Sequence, residues 1–501
     1  MKSLKNLLHL KNPKKARPQT ATDPLEAYSR YSNYRSALIE GKTTCVATVQ
    51  EFLERIQENT RLNAFLEIWA DEAIQRASEI DMQIKSGNAG RLAGMVIALK
   101  DNICYAGHRV SNSSKILLGF ESLYSSTVTE RLLQEGVIFI GRTNCDEFAM
   151  GASNENSAYG PVLNADDEQR VPGGSSGGSA VAVQARLCHA ALGSDTGGSI
   201  RQPAAFTGTV GFKPTYGMIS RHGLLAYASS FDQIGPITQS VEDTALLCSV
   251  MAGPDAFDAT MIQQTAPDFV LNNTGKKKIA YLRECIDGEG IDPEVAAGMK
   301  KLIANLKTQG HQVEEISFPY IDYLVPCYYV LTTAEASSNL ARYQGLQYGY
   351  RSANATDLES SFKKSRSEGF GPEVKRRIML GTFVLSEGFY DAYYTKAQRV
   401  RRFITNKTED ILKTFDFILM PTTPTPAFKI GEKANNPVAM YLADIFTVQA
   451  NITGMPAISI PGPNKIGGMS WGIQLMAARR NDVELLSFAH SLQESTASHE
   501  A

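Results

Sequence analysis

Short, unbroken apolar runs constrain the fold of this chain more than any other feature. Met95-Val96-Ile97-Ala98-Leu99 and Val137-Ile138-Phe139-Ile140 contain no polar residue. A strand covered on one face alternates apolar and polar residues. A run without alternation belongs to a strand covered on both faces, as in a sheet layered between helices. Gly87–Gly94 breaks the chain before the first run, and Val128–Gln134, between the two, reads as a helix. Residues 26–85 read as helical, with Val49, Phe52, Leu53 and Ile56 recurring at three and four. Ala180–Cys188 is a small-residue helix. Phe415–Met420, Ala457–Pro461 and Trp471–Met476 read as late strands, the first closed by the proline-rich loop Pro421–Pro426. Strand-like runs on both sides of a Gly/Ser-rich middle imply an α/β fold with one core closed by distant parts of the chain. Segment 354–376, the most charged, reads as a surface excursion.

The 501 residues are 43% hydrophobic and 20% charged, enough for a sizeable core. A net charge of −2 supplies no overall field towards nucleic acid or anionic membrane, so a nucleic acid would need a local patch or a partner protein to hold it. No stretch approaches the ~18 uninterrupted apolar residues of a membrane span. Residues 1–25 are basic, and Lys5, Asn6 and His9 interrupt their leucines too often for a secretory signal. They read as a flexible tail. Seven cysteines without a C-x-x-C pair argue against zinc and thioredoxin-type sites and for reduced thiols in a cytoplasm. Cys145 reads as a core thiol.

Two Gly/Ser-rich strings carry the chemistry. In Gly173-Gly174-Ser175-Ser176-Gly177-Gly178-Ser179, Ser179 occupies the lysine position of a P-loop, and the string matches G-x-S-x-G only weakly. In Gly193-Ser194-Asp195-Thr196-Gly197-Gly198-Ser199-Ile200-Arg201-Gln202-Pro203, two glycines before a serine let backbone N–H groups converge where an oxyanion would form. A serine nucleophile needs a base. None of the seven histidines lies in a motif suited to that role, and His222 reads as a turn residue. Lys100, at the end of an apolar run, is the better candidate. To act near neutrality its pKa must fall from ~10.4 to ~7, about 4–5 kcal/mol of differential stabilisation that burial can supply. An α/β-hydrolase built on Ser175 and a distant histidine is a further option. Ser361-Phe362-Lys363-Lys364 fits S-x-x-K but sits in a charged segment without S-D-N.

The string Gly173–Pro203, with Lys100 in Ala98-Leu99-Lys100-Asp101-Asn102, resembles the amidase signature family. The resemblance implies a mixed central sheet between helices and a Ser–Ser–Lys triad. Ser199 is then nucleophile, Ser175 (on a cis peptide) the bridge and Lys100 the base, and the backbones of Thr196, Gly197, Gly198 and Ser199 form the oxyanion hole. Gly141–Gly151, Asn154–Pro161, Gly211–Gly217, Ser229–Pro236, Glu335–Leu340, Gly371–Ile378 and Met440–Ile445 extend the resemblance to the A subunits of glutamyl-tRNA(Gln)/aspartyl-tRNA(Asn) amidotransferases, over roughly residues 40 to 495. It implies Arg377 and Asp444 for the α-carboxylate and α-ammonium of glutamine, with Tyr328 and Met150 beside the substrate. Arg377, rather than Arg376, follows from register alone. From spacing alone Lys375-Arg376-Arg377 would be a solvated helix face.

On this resemblance residues 26–495 form one amidase domain: N-terminal helices at 26–88, a signature core at 89–240 and the substrate pocket in 241–495. It implies B and C subunits as partners. ATP and Mg²⁺ act on the B subunit, misacylated tRNA is held mainly there, and this chain carries no metal or cofactor. The chain departs from the pattern in its tail and at Cys145 and Ala152, where many relatives carry Met and Ser or Gly. A free-standing amidase and a non-catalytic scaffold subunit are the competing readings.

Overall fold

The computed structural model describes residues 24–273, 275–434 and 436–497, so the tail at 1–25 falls almost wholly outside the described residues. Among the described residues eleven strands form one sheet: β1 Phe65–Ile68, β2 Val96–Lys100, β3 Ile138–Thr143, β4 Ala190–Asp195, β5 Val210–Lys213, β6 Gln233–Thr238, β7 Lys278–Leu282, β8 Gln312–Ile316, β9 Phe417–Pro421, β10 Ala457–Pro461 and β11 Gly472–Ala477. Their order is β1-β3-β2-β4-β6-β5-β10-β11-β9-β7-β8. β2 pairs parallel with β3 and β4, and β7 parallel with β8 and β9, while the other pairings are antiparallel. The sheet is therefore mixed.

Side chains on successive strand residues point to opposite faces, and β9 shows the result. Phe417 and Leu419 enter one apolar core, and Ile418 and Met420 enter another. The first core is covered by helices including Cys45–Glu58, Ala70–Lys85, Val241–Met251, Pro293–Thr308 and Asp482–Ala497. The second is covered by Ile321–Asn339, Pro372–Val384 and Lys396–Leu412. Gly381 lets two of these helices approach closely, for a Cβ there would lie 1.9 Å from the Thr333 carbonyl oxygen.

The region 26–85 holds one element the helical reading omits, edge strand β1. Segment 354–376 is not simply a surface excursion either. Its helix Leu358–Gly369 buries Ser361 and Ser365, and Glu373 is buried in the next helix. Ser361 donates to the Asp357 carbonyl and Lys364 to that of Asn354, so the S-x-x-K residues serve local structure. Among the described residues no helix is long and apolar enough to cross a membrane.

Because β2, β3 and β4 run parallel, their carboxyl ends emerge at one edge, and Lys100, Thr143 and Asp195 are their last residues. Open α/β sheets bind ligands at that edge.

Candidate active site

Burial at the end of β2 sets the chemistry of Lys100. Its side chain is fully buried, and desolvation lowers its pKa to about 8, against the pull of Cys145, Asp146, Asp195 and Asp232. About a tenth is then neutral at pH 7. Its Nζ donates to Ser175 Oγ at 2.7 Å, Ser176 Oγ at 2.9 Å and Ser194 Oγ at 3.0 Å. The Gly174–Ser175 peptide is cis. The Ser176 N–H donates to the Ser199 carbonyl at 3.2 Å, which brings the two serine loops together. The Ser199 hydroxyl makes no hydrogen bond among the described residues.

A buried ion pair shapes the loop before Ser199. Arg201 Nε and Nη2 each donate to the Asp195 carboxylate at 3.0 Å, with both side chains wholly buried. Burial alone would raise the Asp195 pKa, but Arg201 and Asn451 outweigh it and bring it down to about 2. The carboxylate also accepts the N–H groups of Gly198 (2.8 Å) and Ile200 (3.2 Å). This corrects one expectation. The Gly198 N–H is bound to Asp195 and does not point into the site. Those of Thr196, Gly197 and Ser199 have no partner among the described residues.

Arg377 and Asp444 reach the same region from distant elements. Arg377 is 4% exposed, whereas the Arg376 side chain is 52% exposed, which separates the two neighbours that register alone chose between. Arg377 Nε donates to Glu373 at 2.8 Å and Nη1 to the Tyr227 hydroxyl at 2.8 Å, and its guanidinium lies 5.1 Å from the Tyr329 ring centre. Burial opposes its charge, but the tyrosines and Glu373 outweigh it and hold the pKa high. Burial raises the Asp444 pKa and Arg377 lowers it, with a strong net rise. A cation beside Asp444 would favour its ionised form. One turn on, Thr447 donates to the Gly197 carbonyl at 2.6 Å, tying the Asp444 segment to the loop of Ser199. The Tyr328 ring backs the same loop, since a Cβ at Gly197 would lie 2.5 Å from it. Met150, fully buried, belongs to the apolar cluster of Tyr328.

A family model described as Amidase matches residues 47–486. The chain belongs to the amidase family. The glutamyl-tRNA(Gln) amidotransferase A subunit of Chlorobium phaeobacteroides (strain BS1) is 48% identical, over 93% of this chain and 99% of that protein. Its counterpart of the same name from Koribacter versatilis (strain Ellin345) is also 48% identical, over 92% of this chain and 97% of its own. Among solved structures, the glutamyl-tRNA(Gln) amidotransferase A subunit of Thermotoga maritima superposes with a TM-score of 0.73 at 38% identity, covering 90% of this chain and 92% of that one. The peptide amidase from Stenotrophomonas maltophilia gives 0.79 at 27%, covering 94% and 97%.

Several polar groups of this amidase escaped sequence reasoning. Asp195 and Arg201 lie inside the serine string, and charged residues in a run of small ones were the available signal for a buried pair. Glu373 stands four residues before Arg377, which on sequence looks like any exposed helical ion pair. Tyr227 and Tyr329 carried no signal. Cys145 is fully buried, and burial raises its thiol to about 12, so it is a poor nucleophile. His222 lies between the rings of Tyr124 and Phe257, at 5.0 and 4.7 Å.

Proposed function

We propose that this chain is the glutamine-hydrolysing subunit of a tRNA-dependent amidotransferase. Its ammonia is used to convert Glu-tRNA(Gln), Asp-tRNA(Asn) or both to the amidated forms. The observation that carries the reading is the buried Arg377, fixed on two of its nitrogens by Glu373 and Tyr227, while Nη2 has no hydrogen-bond partner among the described residues and can take a carboxylate. A simple amide has no charge to match it. Free glutamine has an α-carboxylate for Arg377 and an α-ammonium for Asp444, with Tyr328 and Met150 lining the side-chain path.

In the proposed mechanism neutral Lys100 takes the Ser175 proton while Ser175 takes that of Ser199, and Ser199 Oγ attacks the carboxamide carbon. N–H groups of Thr196, Gly197 and Ser199 hold the oxyanion. Lys100 returns the proton through Ser175 to the leaving nitrogen, ammonia departs, and water cleaves the glutamyl ester by the same relay. The Ser199 Oγ–C bond forms and the C–N bond then breaks, and the relay of Ser175 and Lys100 carries the protons to the leaving nitrogen and later from the attacking water. The cytoplasmic partners would be a B subunit, carrying ATP, Mg²⁺ and most of the tRNA contact, and a C subunit.

The test compares ammonia release from L-glutamine and from an uncharged primary amide, using the chain with its accompanying subunits. Arg377→Ala should raise KM for glutamine about 10²-fold, the cost of truncating one buried charge partner, and leave the uncharged amide within a few-fold. Equal effects on both substrates would favour a free-standing amidase of the peptide-amidase kind. Ser199→Ala should abolish both reactions, and a complex still releasing ammonia would refute the nucleophile.

A further inference from the structure

A lysine that takes a proton from one particular hydroxyl must aim its lone pair there, with its two remaining N–H groups held by oxygens that only accept. Three hydroxyls surround Lys100. Ser176 meets the accepting condition. It stands at the N-cap of the helix Gly177–Gln184 yet makes no side-chain cap bond. Its proton goes to the Ser194 carbonyl at 3.2 Å, and its oxygen also receives the Ser194 N–H at 3.4 Å.

Ser194 by itself is ambiguous, because its hydroxyl proton is as free to go to Lys100 as that of Ser175. Asn102 resolves this. Its amide, 1% exposed, reaches Ser194 Oγ at 2.9 Å through Nδ2, and its Oδ1 is buried without a partner among the described residues. In this orientation Nδ2 donates to Ser194. A half-turn of the amide brings Oδ1 to Ser194 instead and leaves Nδ2 where Oδ1 had no partner. Each orientation leaves one amide atom unpaired among the described residues, and the needs of Lys100 choose between them.

We propose that Asn102, acting through Ser194, is a positioning residue for Lys100: its amide oxygen takes the Ser194 hydroxyl proton, so that Ser194 accepts from Lys100 and only Ser175 has a proton to give. The other charged or titratable groups facing Lys100 are Cys145 and Asp146 after β3, Asp195 at the end of β4, and Asp232 before β6. The three carboxylates have partners of their own. Asp146 takes the N–H groups of Asn154 and Asn156, Asp195 takes Arg201, and Asp232 takes the Thr196 hydroxyl. Asp101, next in sequence, is paired with Arg142.

The proposal rests on Lys100 being the base, so the test must separate the two. Labelling of Ser199 by a fluorophosphonate, measured against pH on the full chain with its subunits, does this without assuming the substrate. The Ser199 Oγ–P bond forms, the P–F bond breaks, fluoride leaves, and the serine proton passes through Ser175 to Lys100. Ser194→Ala removes an acceptor from the ammonium form, so the acid limb should move down by about one pH unit and the plateau should fall about 10-fold. Asn102→Ala should lower the plateau similarly, and the double variant should match Ser194→Ala alone, because Asn102 acts through Ser194. Asn102→Asp retains the shape and adds a charge favouring the ammonium, so its limb should move up. Additive losses in the double variant, or an unmoved limb in Ser194→Ala or in Asn102→Asp, would overturn the proposal. Lys100→Ala labelled at the parental rate would instead overturn the base assignment beneath it.

Discussion

Gly198 shows how tightly single residues define this site. Its φ is +123°, a region closed to L side chains, and an added Cβ would lie 2.1 Å from the Thr447 hydroxyl oxygen. Its N–H is bound to Asp195, so its contribution is to shape the loop. Gly198→Ala is therefore expected to cost roughly 1–3 kcal/mol of stability through backbone strain. Displacing the neighbouring N–H donors should lower ammonia release at least ~10²-fold. Urea unfolding and a glutaminase assay on the same preparation check both. A near-parental rate with reduced stability would show that the loop does not hold the oxyanion. At this scale the sequence was informative wherever residues share a string. Lys100, Ser175 and Ser199 stand in recognisable motifs, whereas Tyr227 meets Arg377 across 150 residues with nothing local to announce it.

Elements were legible when their environment was uniform. β2 and β3 are buried throughout, and their opening runs Val96–Leu99 and Ile138–Ile140 are apolar because both faces are covered. β4 reads Ala-Ala-Leu-Gly-Ser-Asp and β6 carries Gly235 and Pro236, so neither has the apolar run that marks a strand, although both are fully buried. β1 escaped notice as four half-buried residues at the sheet edge. The helix bearing Arg377 depends on one such hidden contact: the Gly371 N–H, just before its first turn, donates to Glu147 at 2.8 Å. Glu147 is 2% exposed, and burial raises its carboxyl to about 7 despite bonds from Ser114 and Gly371. A carboxyl raised on folding binds more protons folded than unfolded. Its contribution is complete below the unfolded value near 4.5 and is lost as pH rises through about 7. Glu147→Gln retains an acceptor and cannot ionise. Its Tm should match the parent at pH 4.5 and exceed it by about 1–3 °C at pH 8. A variant melting below the parent at pH 8 would show that the ionised carboxylate holds the helix in place.

The whole molecule joins its chemistry from far apart in sequence. Lys100 and Ser199 come from the carboxyl ends of β2 and β4, while Arg377 and Asp444 come from segments packed over the second core. That juxtaposition could not be read from spacing, because it is created by the β6-β5-β10-β11-β9 succession that carries the last third of the chain back against the middle. The charge balance sets a further limit. With 50 Lys+Arg against 52 Asp+Glu, the molecule has no net attraction for a polyanion. Phosphate contacts by Lys and Arg dominate tRNA affinity and weaken steeply with salt. If the proposed partnership holds, the chain separated from its subunits should not bind tRNA measurably at about 0.15 M salt. The assembly should bind it, with an affinity that falls at least about tenfold when the salt is doubled. Fluorescence anisotropy of labelled tRNA, titrated with each preparation, measures both. Equal binding by the isolated chain would place the nucleic-acid site on this protein itself and require a local basic surface that its overall charge conceals.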